Sequence, residues 1–520
     1  MNTRFCIEHA SLAELSDTAR THRDMAPRPV STQTIIFIGV GIYLLLMLAI
    51  GVYAAKGSGT TEDFIVSGRR MPIWLCSVTI AATWFGASPM MGAAGAAYEE
   101  GLLGVIADPF GGALVMFVVG FFFVRLFRRL GVLTVVDLLT MRFGKIVATI
   151  ASVGLIMSVV GWSAAMLVAF GLVFKSMTGI PLETGIIAGA IVVFIYTAVG
   201  GMWAVALTDF VQMMIIFVGL IVLFAAVLVD VGGWGTISAQ LPEHTFRMIP
   251  LENRPDVWLN YVQAWLIYGL ADVTSQTLMQ RGLAARSEQV AQNSFYIGGF
   301  VYLSLGMIPV LIGIIASVTM PGLERPEEVI PIMAIEHLHP IAVALFVGAL
   351  LAAIMSTTDS ALLSAASILS TNLYPLIRPE STDQQRLWVA RISIPVFGFF
   401  AILVALYVQV VFELIQDANA VMLAIVTVPF IAGIWWKKAN RTGALAAMAA
   451  GLVVWFGVTL LVPNLPGDLI GMLACLATLL IVTPLTQQSD PPREVKNQLG
   501  EEVELQDRLG TLPLFRRVPD

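Results

Sequence analysis

The sequence predicts an all-α polytopic membrane protein with about thirteen transmembrane helices. Three observations predict that class. Of 520 residues, 58% are hydrophobic and only 12% are charged, whereas soluble proteins carry about 25% charged residues. Apolar runs near the roughly 20 residues that cross a bilayer recur along the whole chain. The polar links between them are all too short to form a soluble domain.

In order, the apolar segments run at about 35–55, 73–98, 102–124, 147–174, 184–200, 203–230, 257–279, 293–319, 340–372, 388–411, 416–436, 443–463 and 467–485. The tail before them, residues 1–34, is polar and mixed in charge. It lacks the basic-then-apolar pattern and small-residue cleavage site of a signal peptide, and Met25 is a second candidate start. The tail after them, 486–520, is charged and Pro-containing. Cys6, Cys76 and Cys475 are too few and too scattered for a disulfide framework or a metal cage. A net charge of −6 says little, because in a membrane protein the placement of charge matters more than its sum.

The second segment differs from the others. Its middle reads Ala81-Ala82-Thr83-Trp84-Phe85-Gly86-Ala87-Ser88-Pro89, followed by Gly92 and Gly95. Pro89 has no N–H to give and clashes with the turn before it, and Gly86 eases departure from helical geometry. An unpaired carbonyl in hydrocarbon costs several kcal/mol, so broken backbone at that depth belongs beside a cavity, a ligand or an ion. The plainer alternative is a Pro-kinked helix whose small residues pack closely on a neighbour.

Lys and Arg set the orientation. With the N-terminus outside, the cytoplasmic loops hold Lys56, Arg69, Arg70, the Arg125–Lys145 cluster, Arg281, Arg286, Arg378, Arg386, Arg391, Lys437, Lys438 and Arg441. The C-terminal tail, rich in Arg, falls on the same side, and that asymmetry favours N-outside and C-inside. On this reading no Lys or Arg lies deep in an apolar segment.

Acids behave differently. Asp209 in ALTDFVQMMIIF and Asp359 in IMSTTDSALL fall well inside apolar runs, and a carboxylate at membrane depth points first to an ion or substrate pathway. Asp108, before Pro109, and Asp272, near Gln276, are weaker cases because each falls near a segment end. Ala353, Ser356, Thr357 and Ser360 are spaced i, i+3, i+4 and i+7, so they share one helix face that Asp359 borders. Hydroxyls and carboxylates are hard donors suited to hard cations. The alternative is that each hydroxyl bonds back to the preceding turn. Thr208, Asp209 and Gln212 form a second oxygen-rich patch. Among the aromatics, Trp84 and Trp162 fall near mid-segment, where an aromatic face can hold a cation. Tyr98, Trp265 and Tyr268 complete the candidate substrate aromatics, against the alternative of interfacial belts or plain packing.

From about Thr61 to Gly451 the chain resembles the sodium/solute symporter family, whose members have a leucine-transporter-like fold. TEDFIVSGRRMPIW precedes the broken segment. TAVGGMWAVALTDFVQ resembles the Gly-Gly turn followed by a Thr-Asp helix, LAAIMSTTDSALLSAASILSTNLY the hydroxyl-rich sodium-site helix, and GIWWKKANRTGALA the exit from the tenth core helix. The resemblance implies a 5+5 inverted-repeat core, with repeats at 73–230 and 257–436, one extra helix before them and two after (443–485). It also implies a sodium site at Ala82, Phe85, Ala353, Ser356 and Thr357, and a possible second at Asp209, Asp359 and Ser360 with Ser356. Asp359 departs there from members with Ser or Ala. Within the family the chain resembles high-affinity choline transporters, with Trp84 and Trp162 at aromatic positions of their site. It departs from them at Asp272-Val273-Thr274-Ser275, where they place another Trp.

Function then reads as sodium-coupled import of a small organic solute across the inner membrane, a quaternary ammonium or amine compound first. An amino acid such as proline, or a short carboxylate, is the alternative. Trp84, Ser88 and Pro89, at positions where sugar carriers have polar amides and acids, argue against sugar. Asp359 leaves proton coupling open. A sensor is disfavoured by the short C-terminal tail and a channel by the broken helix. An enzyme is disfavoured because no His, Cys or acid cluster supplies a nucleophile and base; nothing points to nucleic acid, and oligomeric state is not decided by the sequence.

Overall fold

Helices begin where the sequence supplies caps. Thr134 and Asp137 form a reciprocal capping box, as do Thr382 and Gln385, while Ser287 and Asn440 accept from the first-turn N–H groups of the helices they open. The computed structural model describes residues 38–39, 41–43, 45–50, 53 and 59–503, except 410, 463, 498 and 499. The N-terminal tail 1–34, Met25 and residues 504–520 lie outside the described residues.

The principal helices are α1 (Ile73–Trp84), α2 (Ala93–Glu100), α3 (Gly112–Phe122), α4 (Lys145–Thr178), α5 (Leu182–Asp230), α6 (Pro255–Gly269), α7 (Gln276–Ala284), α8 (Glu288–Thr319), α9 (Val329–His337), α10 (Pro340–Ile368), α11 (Asp383–Tyr407), α12 (Val411–Val421), α13 (Thr427–Trp435), α14 (Arg441–Leu461) and α15 (Gly467–Leu485). Among the described residues there is no strand, and the fold is all-α as expected. Nine helical stretches among them are long and apolar enough to span a bilayer, and Gly41–Ile50, Ile73–Trp84 and Leu182–Ile195 are shorter apolar helices. About thirteen crossings were expected from hydropathy; the nine long spans fall short of that number partly because crossings are assembled from broken pieces.

Segments 184–200 and 203–230 meet at Gly201, whose φ of +60° is a left-handed value that reverses the chain within α5. One arm packs on α4, where Gly189 lies against Phe170, and the other on α10, where Gly219 lies against Phe346. Segment 73–98 is α1, a break at Phe85–Ala87, a wide turn over Ser88–Gly92 and then α2. Segment 257–279 is broken as well: α6 stops at Gly269, Ala271–Thr274 form a tight turn, and Ser275 caps α7. The first helix of each expected half is therefore discontinuous, and the pieces of both pack against α10 and α12.

Candidate ion and substrate site

The break in α1 follows from its residues. Phe85 leaves helical geometry at ψ +61°. The Gly86 N–H donates to the Trp84 carbonyl at 2.9 Å rather than to Ala82. Pro89 has no N–H for the Phe85 carbonyl. The two carbonyls expected to hold sodium, Ala82 and Phe85, thus lose their ordinary helical partners, although Ala82 still accepts a 3.2 Å bond from the Phe85 N–H. The break lies directly on α10: a Cβ placed on Gly86 would come within 2.4 Å of Thr357 Oγ1. Only glycine permits that approach of backbone to hydroxyl.

On α10 the hydroxyl face is buried, with Ser356, Thr357, Asp359 and Ser360 each at most 1% exposed. Thr357 bonds back to the Ala353 carbonyl at 3.3 Å, as the plainer alternative allowed. Ser356 instead donates across to Asp209 of α5, which also accepts from Thr79 of α1. Asp209 therefore joins α1, α5 and α10. Gln212, one turn on, donates to Tyr43 at 2.7 Å.

Arg281 requires a correction. It was expected in a cytoplasmic loop, with no cation at depth; it is instead fully buried on α7. Its guanidinium donates to the Thr277 carbonyl at 2.9 Å and to the Ser360 hydroxyl, and it interacts electrostatically with Asp209 and Asp359. The reason is the break: α7 restarts inside the protein, so a residue counted past the end of segment 257–279 still faces the interior. The sequence signal was available, since Thr277, Gln280 and Arg281 line one polar stripe of a helix that is buried all round.

The aromatic site forms around Trp84. Its ring centroid lies 5.8 Å from Trp162, 6.1 Å from Tyr268 and 6.5 Å from Tyr302, each pair tilted or edge-on. Trp84, Tyr268 and Tyr302 are at most 2% exposed and Trp162 7%. The indole N–H groups of Trp84 and Trp162 are buried without a hydrogen-bond partner, as is the Asn419 side-chain oxygen. Buried donors are nearly always satisfied in proteins, so a pair of them at one spot calls for an explanation.

Beneath the rings lies a carboxylate network. Asp108 accepts from Ser88 and, at 2.5 Å, from the Tyr302 hydroxyl, and Ser88 is 3.3 Å from the Tyr268 hydroxyl. Asp272, in the second break, receives a 3.4 Å bond from Asn419. Tyr302 was not singled out by sequence, because a tyrosine within a long apolar run carries no local signal. Of the remaining expected aromatics, Tyr98 donates to the Met320 carbonyl and accepts from the Leu323 N–H, tying α2 to the end of α8. Trp265 is half-buried on α6 and is not among the rings meeting Trp84. A cavity of ≈ 690 Å³, lined by Arg254, Asp256, Gln263, Gln416, Trp455 and Asp468 among others, reaches Ile267 and Ala420, the neighbours of Tyr268 and Asn419.

Two discontinuous helices that face a hydroxyl-lined third, with buried acids and aromatics between them, are the arrangement of a secondary transporter. The chain belongs to the sodium:solute symporter family, whose family model matches residues 64–451. It is 29% identical over 441 residues to the human high affinity choline transporter 1, covering 80% of this chain and 75% of that one. It is 27% identical to the Escherichia coli sodium/pantothenate symporter, over 79% of this chain and 88% of that one. Its fold matches a Na+-coupled sialic acid symporter in a substrate-bound outward-open state, with a TM-score of 0.77 and 21% identity over 87% of this chain and 98% of that one. The protein is a multi-pass membrane transporter, not an enzyme.

Proposed function

We propose that the chain imports a small organic cation, a quaternary ammonium or amine compound, by coupling its entry to sodium. The observation that carries this is the Trp84–Trp162–Tyr268–Tyr302 group with the carboxylates Asp108 and Asp272 beside it. Aromatic faces attract a quaternary ammonium through their quadrupoles, and the two acids place carboxyl oxygens beside the rings without a fixed cation in the group. A cation enters by exchanging ring–ring for ring–cation contacts. High-affinity choline transporters among the relatives support the same class. The orphaned indole donors favour one second reading, a zwitterionic amino acid such as proline whose carboxylate they would receive.

Sodium is carried at the carbonyls of Ala82, Phe85 and Ala353 and the hydroxyls of Ser356 and Thr357, where the break touches α10. By joining α1 to α10 it favours the solute-competent conformation, a shift that requires differential affinity for the two states. Each charge moving inward contributes about 2.3 kcal/mol per 100 mV. The protein sits in the cell (inner) membrane with its N-terminus outside and its C-terminus cytoplasmic, so the large cavity faces outward.

The test is uptake into proteoliposomes loaded with potassium and facing sodium. Labelled choline is expected to accumulate only with the sodium gradient, and tetramethylammonium to compete. Accumulation of proline in place of choline would establish the second reading. Uptake of either that ignores sodium would overturn the coupling.

A further inference from the structure

α12 carries a polar side chain that neither the ring contacts nor the proposed sodium contacts use. Asn419 is fully buried, and its helix packs on both breaks, at the Ser88–Gly92 turn of the first and the Ala271–Thr274 turn of the second. Its neighbour Ala418 meets α4 at Gly161, where an added Cβ would lie 3.3 Å from the Ala418 Cβ, and Gly161 adjoins Trp162. Asn419 is therefore held between the second break and the wall that carries Trp162. Charge fixes the orientation of its amide. An ionised carboxylate only accepts, so Nδ2 is the atom that donates to Asp272 Oδ2, at 3.4 Å. The reverse orientation would set two acceptors against each other. Oδ1 is then a buried acceptor without a partner, where buried acceptors nearly always have one. The ring group adds two buried donors without partners, the indole N–H groups of Trp84 and Trp162, whose rings are 5.8 Å apart. The group complementary to this set donates to an amide oxygen and accepts from an indole. A hydroxyl does both. A carboxylate only accepts, and a methyl does neither.

We propose that Asn419 is a specificity-determining residue that accepts a hydrogen bond from a hydroxyl on the solute, and that the solute is a hydroxyalkyl ammonium compound. This rests on the organic-cation reading above. The rings attract the cationic end, Asn419 reads the hydroxyl end, and Asp272 holds the amide in its accepting orientation. A solute that lacks only the hydroxyl would leave Oδ1 unpaired with water excluded, and sites built to bond a hydroxyl reject such analogues strongly. A solute with a carboxylate in its place would set further acceptors against Asn419 and Asp272.

Calorimetric titration of the purified protein at saturating sodium tests this with choline, with propyltrimethylammonium, in which a methyl replaces the hydroxyl, and with betaine, in which a carboxylate does. The wild-type chain is expected to bind choline at least about tenfold more tightly than either analogue. N419L, close in size but apolar, is expected to bind choline and propyltrimethylammonium equally, by losing affinity for choline and keeping it for the analogue. A general loss of packing would weaken both ligands alike, so the ratio isolates the hydroxyl contact. N419A is expected to give the same ratio and replaces N419L where that variant does not yield monodisperse protein. A wild-type chain that binds either analogue as tightly as choline, or variants at 419 that keep the full preference, would overturn the proposal while leaving the cation reading standing. No saturable binding of choline or propyltrimethylammonium to the wild-type chain would overturn both.

Discussion

Trp84 terminates α1 and contributes its ring to three others, so its face is the part of the site that a cation would feel most. Replacing it with leucine keeps an apolar side chain but removes the quadrupole. W84L is expected to weaken choline binding at least tenfold, from a desolvated cation–π contribution of about 2 kcal/mol, with a much smaller change in thermal stability. Binding titrations with tetramethylammonium separate the cation effect from that of the hydroxyl tail. Asp272 makes a different contribution, because its carboxylate has only a long bond from Asn419 and is the less satisfied of the two acids. D272N is expected to lower affinity for choline by about tenfold or more while leaving the neutral isostere 3,3-dimethylbutanol unaffected; equal losses for both ligands would show that Asp272 shapes the pocket and does not balance charge. These residues were only partly legible beforehand. Trp84 and Trp162 were readable as mid-segment aromatics and Tyr268 as a candidate set against an interfacial belt, whereas Tyr302 comes from α8, and nothing in sequence spacing relates position 302 to position 84.

At the scale of elements, two glycines fix the arrangement. Gly86 lets the α1 break rest on Thr357, and a methyl group there would lie 2.4 Å from Thr357 Oγ1. G86A is expected to lower stability by about 1–3 kcal/mol, as overpacking does, and to abolish sodium-stimulated uptake. G86A/T357A removes the nearest atom but keeps the Cβ at position 357, 2.9 Å away, so it should recover part of the thermal transition and none of the sodium response, which separates packing from ion binding. Gly201 gives a contrasting case. It combines φ +60° with a Cβ position 2.6 Å from Phe64 Cδ2 and 2.8 Å from the Phe64 carbonyl. Because a backbone atom is among the obstacles, trimming Phe64 should not rescue G201A, and the yield of folded protein is the measurement. Both glycines were visible in the sequence, one three residues before a proline and one in a Gly-Gly pair between apolar runs. The break between α6 and α7 was not, since Ala271–Ser275 contains no proline and interrupts the helix through tertiary contacts such as Thr427 to the Ala271 carbonyl. That single omission placed Arg281 in a loop when it is buried in the protein. The short helix α9 escaped for a simpler reason: nine residues with an internal Pro331 are too few for a hydropathy window.

At the scale of the whole molecule, the two ends of the bundle differ. The end rich in Arg is tied across elements: Arg129 pairs with Glu288 at 2.9 Å, Arg128 donates to the Ala285 carbonyl, the Met71 N–H donates to Ala284, and Thr61 meets Asp383. The opposite end holds the ≈ 690 Å³ cavity that leads toward Tyr268 and Asn419. Release of solute past the Arg-rich end would exchange those ties for others, and α1 takes part in both the proposed ion contact and the ring group. Sodium binding and solute binding therefore act on one conformational equilibrium. Linkage then requires that the factor by which saturating sodium raises choline affinity equal the factor by which saturating choline raises sodium affinity. Couplings of this kind are typically about 5–150-fold. Paired titrations, choline binding at zero and saturating sodium and radioactive sodium binding at zero and saturating choline, should return the same number for the wild-type chain. In W84L both factors should shrink together, because Trp84, proposed to meet the solute, is adjacent to Phe85, whose carbonyl is proposed to hold the ion. If the two wild-type factors agree but W84L lowers choline affinity without changing either factor, then Trp84 binds solute in all conformations alike and the coupling runs through the second broken helix.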